Sequence, residues 1–311
     1  MQESESMKIT VVIPALNEEK TIAKVVRDFK QQLPEAEIIV YDNNSTDRTV
    51  EEAKKAGAKV LVQHRRGKGN VIRAMFENVE SDIYIMVDGD DTYVVDNVRE
   101  LIAPVANGEA DMVVGARLNY EETSFSWSHK LGNKLITTVL NRLFGTKLKD
   151  VESGYRVMNR ELVKSVILLE GGFGIEPELT IRCLQQGFRI QELPVHYRSR
   201  PEGSHSKLNT INDGYVVLYT MITLFRDYNP IKFFSLISLF FLIIGLITGS
   251  KITIEYLMTG SIGGHTGTAA FTIMMIILST LVFLMGVLLD SVNNKWRVTQ
   301  EMIRKAMPNS K

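Results

Sequence analysis

The sequence predicts an α/β fold followed by a membrane tail. Apolar, β-rich runs alternate with helical apolar stripes through the first part of the chain. Short polar clusters close the runs. Between Ile231 and Asp290 the only Lys, Arg, Asp or Glu residues are Lys232, Lys251, Glu255 and Asp290. The chain has 311 residues, enough for a sizeable core, and its formal net charge is +0. That balance argues against a nucleic-acid binder, which is usually basic. The single cysteine, Cys183, excludes an intrachain disulfide and a cysteine-based metal cluster.

Lys8 to Ile13 reads as a first strand, ended by Pro14. Ile22, Val25, Val26, Phe29 and Leu33 form a helical stripe within Glu18 to Leu33. Glu37 to Tyr41 is a second strand, closed by the polar turn Asp42 to Ser45. Thr46 is placed to cap a helix running to Ala56, with Gly57 as its stop. Val60 to Gln63 is a third strand, Lys68 to Asn78 a helix, and Ile83 to Val87 a fourth strand ending at Asp88. A helix reaching Asn107 and a strand at Met112 to Gly115 follow. Such alternation implies a mostly parallel sheet with helices on both faces. Ligands of these sheets sit beyond the carboxyl ends of strands. Attention therefore falls on Asn17 and Glu18, Asp42 to Ser45, Arg65 to Gly69, and Asp88 to Asp91.

The uncharged runs Phe233 to Ser250 and Ala269 to Leu289 approach the roughly 20 apolar residues that span a bilayer as helix. Two in succession, neither with a polar face, argue against buried core helices. The expected spans are about 231–250 and 268–290, within a membrane region 231–311. Arg226 and Lys232 precede the first, and Lys295, Arg297, Arg304 and Lys305 follow the second. That bias places both termini and the preceding domain in the cytoplasm. The start, MQESESMKIT, has no apolar signal region, in keeping with that expectation. Residues 208–230 form the border. Leu208, Ile211, Tyr215, Leu218, Tyr219, Ile222 and Phe225 fall near helical spacing there, as on an amphipathic helix lying on the bilayer surface or one packed on the domain.

The sharpest chemical feature is Asp88-Gly89-Asp90-Asp91 at the end of an apolar strand. Clustered carboxylates repel unless a cation neutralises them. A hard divalent ion, Mg2+ or Mn2+, takes oxygen ligands and also holds phosphates. Gly89 allows a tight turn and the close approach of a ligand. An isolated acidic turn is often merely solvated, and the strand-end position is what favours the metal reading. Asp42 is placed to accept hydrogen bonds from a base or ribose. Gly67-Lys68-Gly69 is a weak phosphate loop without the full P-loop spacing. Arg117, Asp150, and the run Ser153-Gly154-Tyr155-Arg156 come next. Arg198, Arg200, His205 and Lys207 then form a basic cluster suited to a lipid headgroup or a diphosphate, or to plain flanking charge. The histidines show no metal-ligand spacing, and no serine-hydrolase elbow or zinc-protease motif occurs.

Val11 to Glu19 (VVIPALNEE), Ile38 to Thr49 (IIVYDNNSTDRT) and the VDGDD ending at Asp91 together resemble glycosyltransferase family two, with its GT-A, Rossmann-like nucleotide-sugar fold. Gly115-Ala116-Arg117, DVESGYR from Asp150 to Arg156, and the Arg198 to Lys207 cluster resemble the branch containing dolichol-phosphate mannose synthase and bacterial polyprenyl-phosphate glycosyltransferases. The likeness spans roughly Lys8 to Lys207, within a domain assigned to 1–207. It implies that Pro14, Leu16, Glu18 and Asp42 surround the nucleotide, with Lys68 and Gly89 near the donor. It implies Asp88 and Asp90 as metal ligands, and Arg117, Arg156, Arg198, Arg200 and Lys207 as phosphate-binding candidates. Asp150 is expected near the reacting centre, with Asp90 the other catalytic candidate. Two departures stand out: Asn43 where many relatives have a second aspartate, and Asp91-Thr92-Tyr93 where relatives often show Leu-Gln.

The expected activity is inverting transfer of a sugar from a nucleotide-diphosphate donor, UDP favoured over GDP, to a dolichyl or undecaprenyl phosphate in the membrane. A phosphate acceptor is already ionised near neutral pH, its second pKa being about 6, so no strong general base is required. A family-two enzyme that elongates a glycan, and a non-catalytic nucleotide-binding membrane module, are the alternatives. A homo-oligomer is left open.

Overall fold

A computed structural model of the chain describes residues 7–120, 127–172, 174–201, 219, 222–223, 225–227, 229–261 and 265–306. Alternation of strand and helix holds through the first half: β1 (Ile9–Ala15), α1 (Ile22–Gln32), β2 (Glu37–Asp42), α2 (Thr49–Lys55), β3 (Lys59–Val62), α3 (Lys68–Asn78), β4 (Ile83–Met86) and α4 (Val98–Ala106). Then come β5 (Met112–Tyr120), α5 (Trp127–Phe144), β6 (Arg156–Asn159), α6 (Arg160–Ser165), α7 (Ile175–Gln185) and β7 (Ile190–Tyr197). The seven strands form one sheet in the order β3-β2-β1-β4-β6-β5-β7. All neighbours are parallel except β6, which runs antiparallel to both β4 and β5. The sheet is therefore mixed α/β.

Because side chains alternate along a strand, each strand feeds two cores. Val11, Ile13 and Ala15 of β1 face Phe29 of α1 and Leu101 of α4 in one cluster. Val12 of the same strand faces Ile72 and Met75 of α3 and Leu179 of α7 in the other. β2 lies on one side of β1 and β4 on the other. The chain reverses its direction of winding there, which opens a crevice at the carboxyl ends of β1 and β4.

Two local expectations are corrected. The first helix begins at Ile22 rather than Glu18. Residues 18–21 form a turn whose Glu18 carbonyl accepts the Ile22 amide at 2.9 Å. Thr46 does not cap α2. Its amide donates to Asn17 Oδ1 at 2.7 Å, while the Asp47 carboxylate accepts the Thr49 amide at 2.9 Å.

Chain contacts divide the molecule between Met221 and Ile222. The second unit is a hairpin of α8 (Pro230–Thr259) and α9 (Thr266–Ala306). Both helices are long and apolar enough to cross a membrane, with mean hydropathies of 2.3 and 2.6. They pack through small and hydroxylated residues. The hydroxyl of Ser238 donates to the Ser279 carbonyl at 2.9 Å, and Thr272 donates to Thr248 at 2.8 Å. Most of the expected surface helix at 208–230 lies outside the described residues.

Candidate functional site

The polar residues singled out in the sequence gather at the carboxyl edge of the sheet. Pro14 does not close β1 as expected but lies within it, in register with Tyr41, one residue before its end at Ala15, and Leu16 follows half-buried. Asp42 ends β2, is 3 % exposed, and accepts the Ser45 amide through both oxygens at 3.2 and 3.3 Å. Glu18 is buried, and its amide donates to Thr49 Oγ1 at 2.7 Å. Thr21 donates to the Gly89 carbonyl at 2.7 Å, tying the start of α1 to the acidic turn. Asn43 links the end of β2 to the loop after β3. Its amide nitrogen donates to the Gln63 and Arg65 carbonyls, and its oxygen accepts the Gly67 amide at 2.7 Å. An aspartate has no donor for those two carbonyls. The departure at this position is thus a structural requirement of this chain's loop.

Lys68 stands at the start of α3. Gly67 has φ of 118°, a conformation glycine adopts freely, and a side chain there would strike the Gly171 carbonyl. This close packing delivers the Lys68 ammonium to Asp88, and to Glu176 of α7 at 2.6 Å. Burial opposes the charge on Lys68, but Asp88 and Glu176 outweigh it and hold the amine firmly protonated.

In the acidic turn each carboxylate has a different partner. Asp88 meets Lys68. Asp90, 4 % exposed, meets Arg200 at 2.5 Å through Oδ2 and accepts the Thr92 hydroxyl at 2.6 Å through Oδ1. Asp91, with φ of 58°, is held by Arg198 and by Lys24 at 3.1 Å. Burial and the charge of nearby Asp88 push the Asp90 carboxyl up, against the pull of Arg200. A buried carboxylate that a neighbouring carboxylate pushes up belongs to a donor set suited to a divalent cation. Among the described residues no three His, Cys, Asp or Glu side chains converge as a complete metal cage. One or two carboxylates, with phosphate oxygens supplying the rest, suit Mg2+-type sites.

Beside this turn, Arg117 and Asp150 form a two-pronged ion pair of 2.7 and 2.8 Å. The Arg117 amide and the Asn133 side chain add donors at 3.0 Å. Burial would raise the Asp150 carboxyl, but Arg117 and these bonds hold it below the usual range. Arg117 also lies 5.5 Å from the centre of the Tyr197 ring. The loop from Asp150 to Gly154 reaches the acidic turn. A Cβ on Gly154 would collide with the Asp88 carboxylate and lie 3.0 Å from Lys68 Nζ.

Arg156 corrects the sequence expectation of a phosphate ligand. It is 0 % exposed and donates to the Ser153 and Val151 carbonyls and to Thr180, at 2.8 to 2.9 Å. Its guanidinium braces the 151–153 loop from below and offers nothing to a ligand. His205 and Lys207 lie outside the described residues. Three contributors were not foreseen: Glu176, Asn133 and Glu152. Burial pushes the Glu152 carboxyl up to about 7, with Arg117 opposing and Asp150 and Glu176 adding to the rise. Glu176 had a faint signal, an acid among apolar residues at the start of a helix.

Residues 10–167 match the family model described as glycosyl transferase family 2. The chain is 28 % identical over 299 residues to glycosyltransferase AglJ of Haloferax volcanii, covering 96 % of this chain and 97 % of that protein. It is 29 % identical to a dolichyl-phosphate hexose transferase of the same organism, covering 62 % of this chain and 83 % of the relative. Among solved structures it resembles the glucosyl-3-phosphoglycerate synthase of Mycobacterium tuberculosis, crystallised with Mn2+, uridine-diphosphate and phosphoglyceric acid. That match has a TM-score of 0.59 at 25 % identity and covers 71 % of this chain and 79 % of the other. Fold, ordered strand-end motifs and family match agree: the chain belongs to glycosyl transferase family 2 and is a glycosyltransferase with a GT-A-like α/β domain.

Proposed function

We propose that this glycosyltransferase moves a sugar from a nucleotide-diphosphate donor to a polyprenyl phosphate held in the membrane. The single observation that carries the reading is the juxtaposition of Asp88 and Asp90 just after β4 with Lys68 on Asp88 and Arg200 on Asp90, next to the Arg198–Asp91 and Arg117–Asp150 pairs. Carboxylates able to hold a metal and cations able to hold phosphates stand at the same edge of the sheet. The dolichyl-phosphate relative and the Mn2+ and uridine-diphosphate complex of the M. tuberculosis synthase support the same chemistry.

In this reading Asp42, Pro14, Leu16 and Glu18 border the nucleoside, and Lys68 faces its diphosphate. Asp88 and Asp90 would hold a divalent cation, Mg2+ or Mn2+. When bound there, such an ion supplies charge neutralisation for the donor diphosphate and the departing nucleotide. The acceptor phosphate oxygen attacks the anomeric carbon from the side opposite the nucleotide. The bond from that carbon to the diphosphate oxygen breaks, and configuration inverts. Arg117 and Arg200 steady the acceptor phosphate. Asp150 positions Arg117 rather than removing a proton, since an ionised phosphate needs no strong base. The apolar helices α8 and α9 anchor the chain. Arg226 and Lys232 before them, and Lys295, Arg297, Arg304 and Lys305 after, set both ends in the cytoplasm.

The test is a donor panel. Purified full-length protein in micelles is incubated with labelled UDP- and GDP-sugars, Mg2+ or Mn2+, and a short polyprenyl phosphate. Label entering an organic-extractable lipid that mild acid cleaves is the expected outcome. Label entering polymer, or none entering lipid with any donor, would overturn the acceptor assignment.

A further inference from the structure

Helix α7 opens with two buried carboxylates, Glu176 and Glu178, and both reach back to earlier parts of the chain. Glu178 accepts the Leu169 amide at 3.0 and 3.1 Å and the Glu170 amide at 2.7 Å. The carbonyls of that loop lie against the start of α3. A Cβ on Gly67 would strike the Gly171 carbonyl, and one on Gly69 the Glu170 carbonyl. Glu176 reaches Lys68, between those two glycines, at 2.6 Å. Ile175, Leu179 and Cys183 of α7 also share an apolar cluster with Val71, Ile72 and Met75 of α3. Packing, the 169–171 loop and the Glu176–Lys68 pair thus all join the two helices.

The ion pair is the weakest of these links as a source of stability, because taking two charges out of water offsets most of their attraction. The side chains are nonetheless deep, 6 % exposed for Glu176 and 14 % for Lys68. What a buried carboxylate does supply is one fixed place for an ammonium carried on a flexible four-carbon stem. Lys68 also meets Asp88, but Asp88 is one of the two carboxylates proposed to hold the divalent ion. Glu176 stands outside the acidic turn, on a separate helix, and anchors the amine independently of it.

We infer that Glu176 is a positioning residue for sugar transfer, acting through Lys68 by fixing the ammonium where the donor diphosphate is bound. The inference rests on the placement of Lys68 at that diphosphate under the proposed function. An acidic side chain then strengthens the binding of an anion. By its charge alone Glu176 would repel a diphosphate. By placing Lys68 it gives the diphosphate a charge-assisted hydrogen-bond donor in a set position.

The opposite signs of these two effects make the test. Full-length protein in micelles with Mn2+ is titrated calorimetrically with UDP and with GDP, and the nucleotide that wild type binds more tightly is carried through the series. Thermal unfolding checks that each variant folds. Lys68→Met should weaken binding about tenfold or more, the size of a lost hydrogen bond to a charged group. Glu176→Gln should weaken it about tenfold, as expected of residues in direct contact. Glu176→Asp keeps the charge but draws the carboxylate back, and should weaken binding as well; it also serves if Glu176→Gln does not fold. In the Lys68→Met background there is no ammonium to place, so Glu176→Gln should strengthen binding instead. Glu176→Gln binding as tightly as wild type or more so, Glu176→Asp binding unchanged, or equal losses with and without Lys68 overturns the positioning role and leaves the donor site standing. Undiminished binding in Lys68→Met, or no binding of either nucleotide to wild type, overturns the role given to Lys68 and the inference together.

Discussion

Glu152 sits between Asp150 and Ser153, where burial pushes its carboxyl up to about 7. The folded chain therefore holds a proton that the unfolded chain releases near the ordinary carboxylate pKa of about 4. Its contribution is fully present below that range and is lost as pH rises through about 7. Glu152→Gln, always neutral, should stabilise the protein by roughly 1–3 kcal/mol at pH 8, and the gain should vanish by about pH 4. Denaturant unfolding at the two pH values checks this, and a gain independent of pH contradicts it. Gly154→Ala tests the other end of the same loop. The new methyl would press on the Asp88 carboxylate and Lys68. Overpacking of about 1–3 kcal/mol should weaken Mn2+-dependent nucleotide binding by about tenfold or more. Calorimetric titration with UDP reads the effect. That Asp88 and Asp90 cluster at a strand end was legible because the acidic run directly follows a continuous apolar strand. Arg156 was misread because a sequence shows a guanidinium's charge but not its burial. The partnership of Lys68 with Glu176 was hidden, since it joins segments far apart in the chain.

Among the elements, the strands built from continuous apolar runs, β1 to β4, were legible to within a residue or two. β6 and β7 were not. β6 is only Arg156–Asn159 and opens with a buried arginine, so it carries no apolar signature. β7 contains Pro194, which argues against a central strand, yet the sheet order places β7 at the edge, where proline is tolerated. β5 outruns its expected end at Gly115 because a register shift between Ala116 and Asn119 lets pairing with β7 resume. In the hairpin, Gly286 of α9 faces α8 so closely that a Cβ would lie 2.8 Å from that of Phe234. Gly286→Leu should force the two helices apart and cost about 1–3 kcal/mol of stability. Thermal unfolding in micelles, compared with an outward-facing control such as Leu288→Ala, would detect it. An unchanged transition would count against this packing.

At the scale of the whole molecule, the residues proposed to bind the donor all belong to the unit ending at Met221, and the apolar helices to the unit that follows. Shortening the chain after Asp227 should therefore spare binding of Mn2+ and UDP while abolishing transfer to a lipid phosphate in membranes. Equal loss of both would argue that the hairpin supports the fold instead of bringing the enzyme to its acceptor. The two long apolar helices were plain in the sequence because each comes from a long uncharged run. Which cations face a ligand was less legible, because arginines and lysines also serve as flanking charge or, like Arg156, as internal braces. The central claim is that Asp88 and Asp90 grip the donor diphosphate through a divalent ion. Calorimetric titration of UDP into wild type and Asp90→Asn, each with and without Mn2+, tests it most directly. Tight binding only in wild type and only with Mn2+ is the expected result; binding that survives either the substitution or removal of the ion would contradict it.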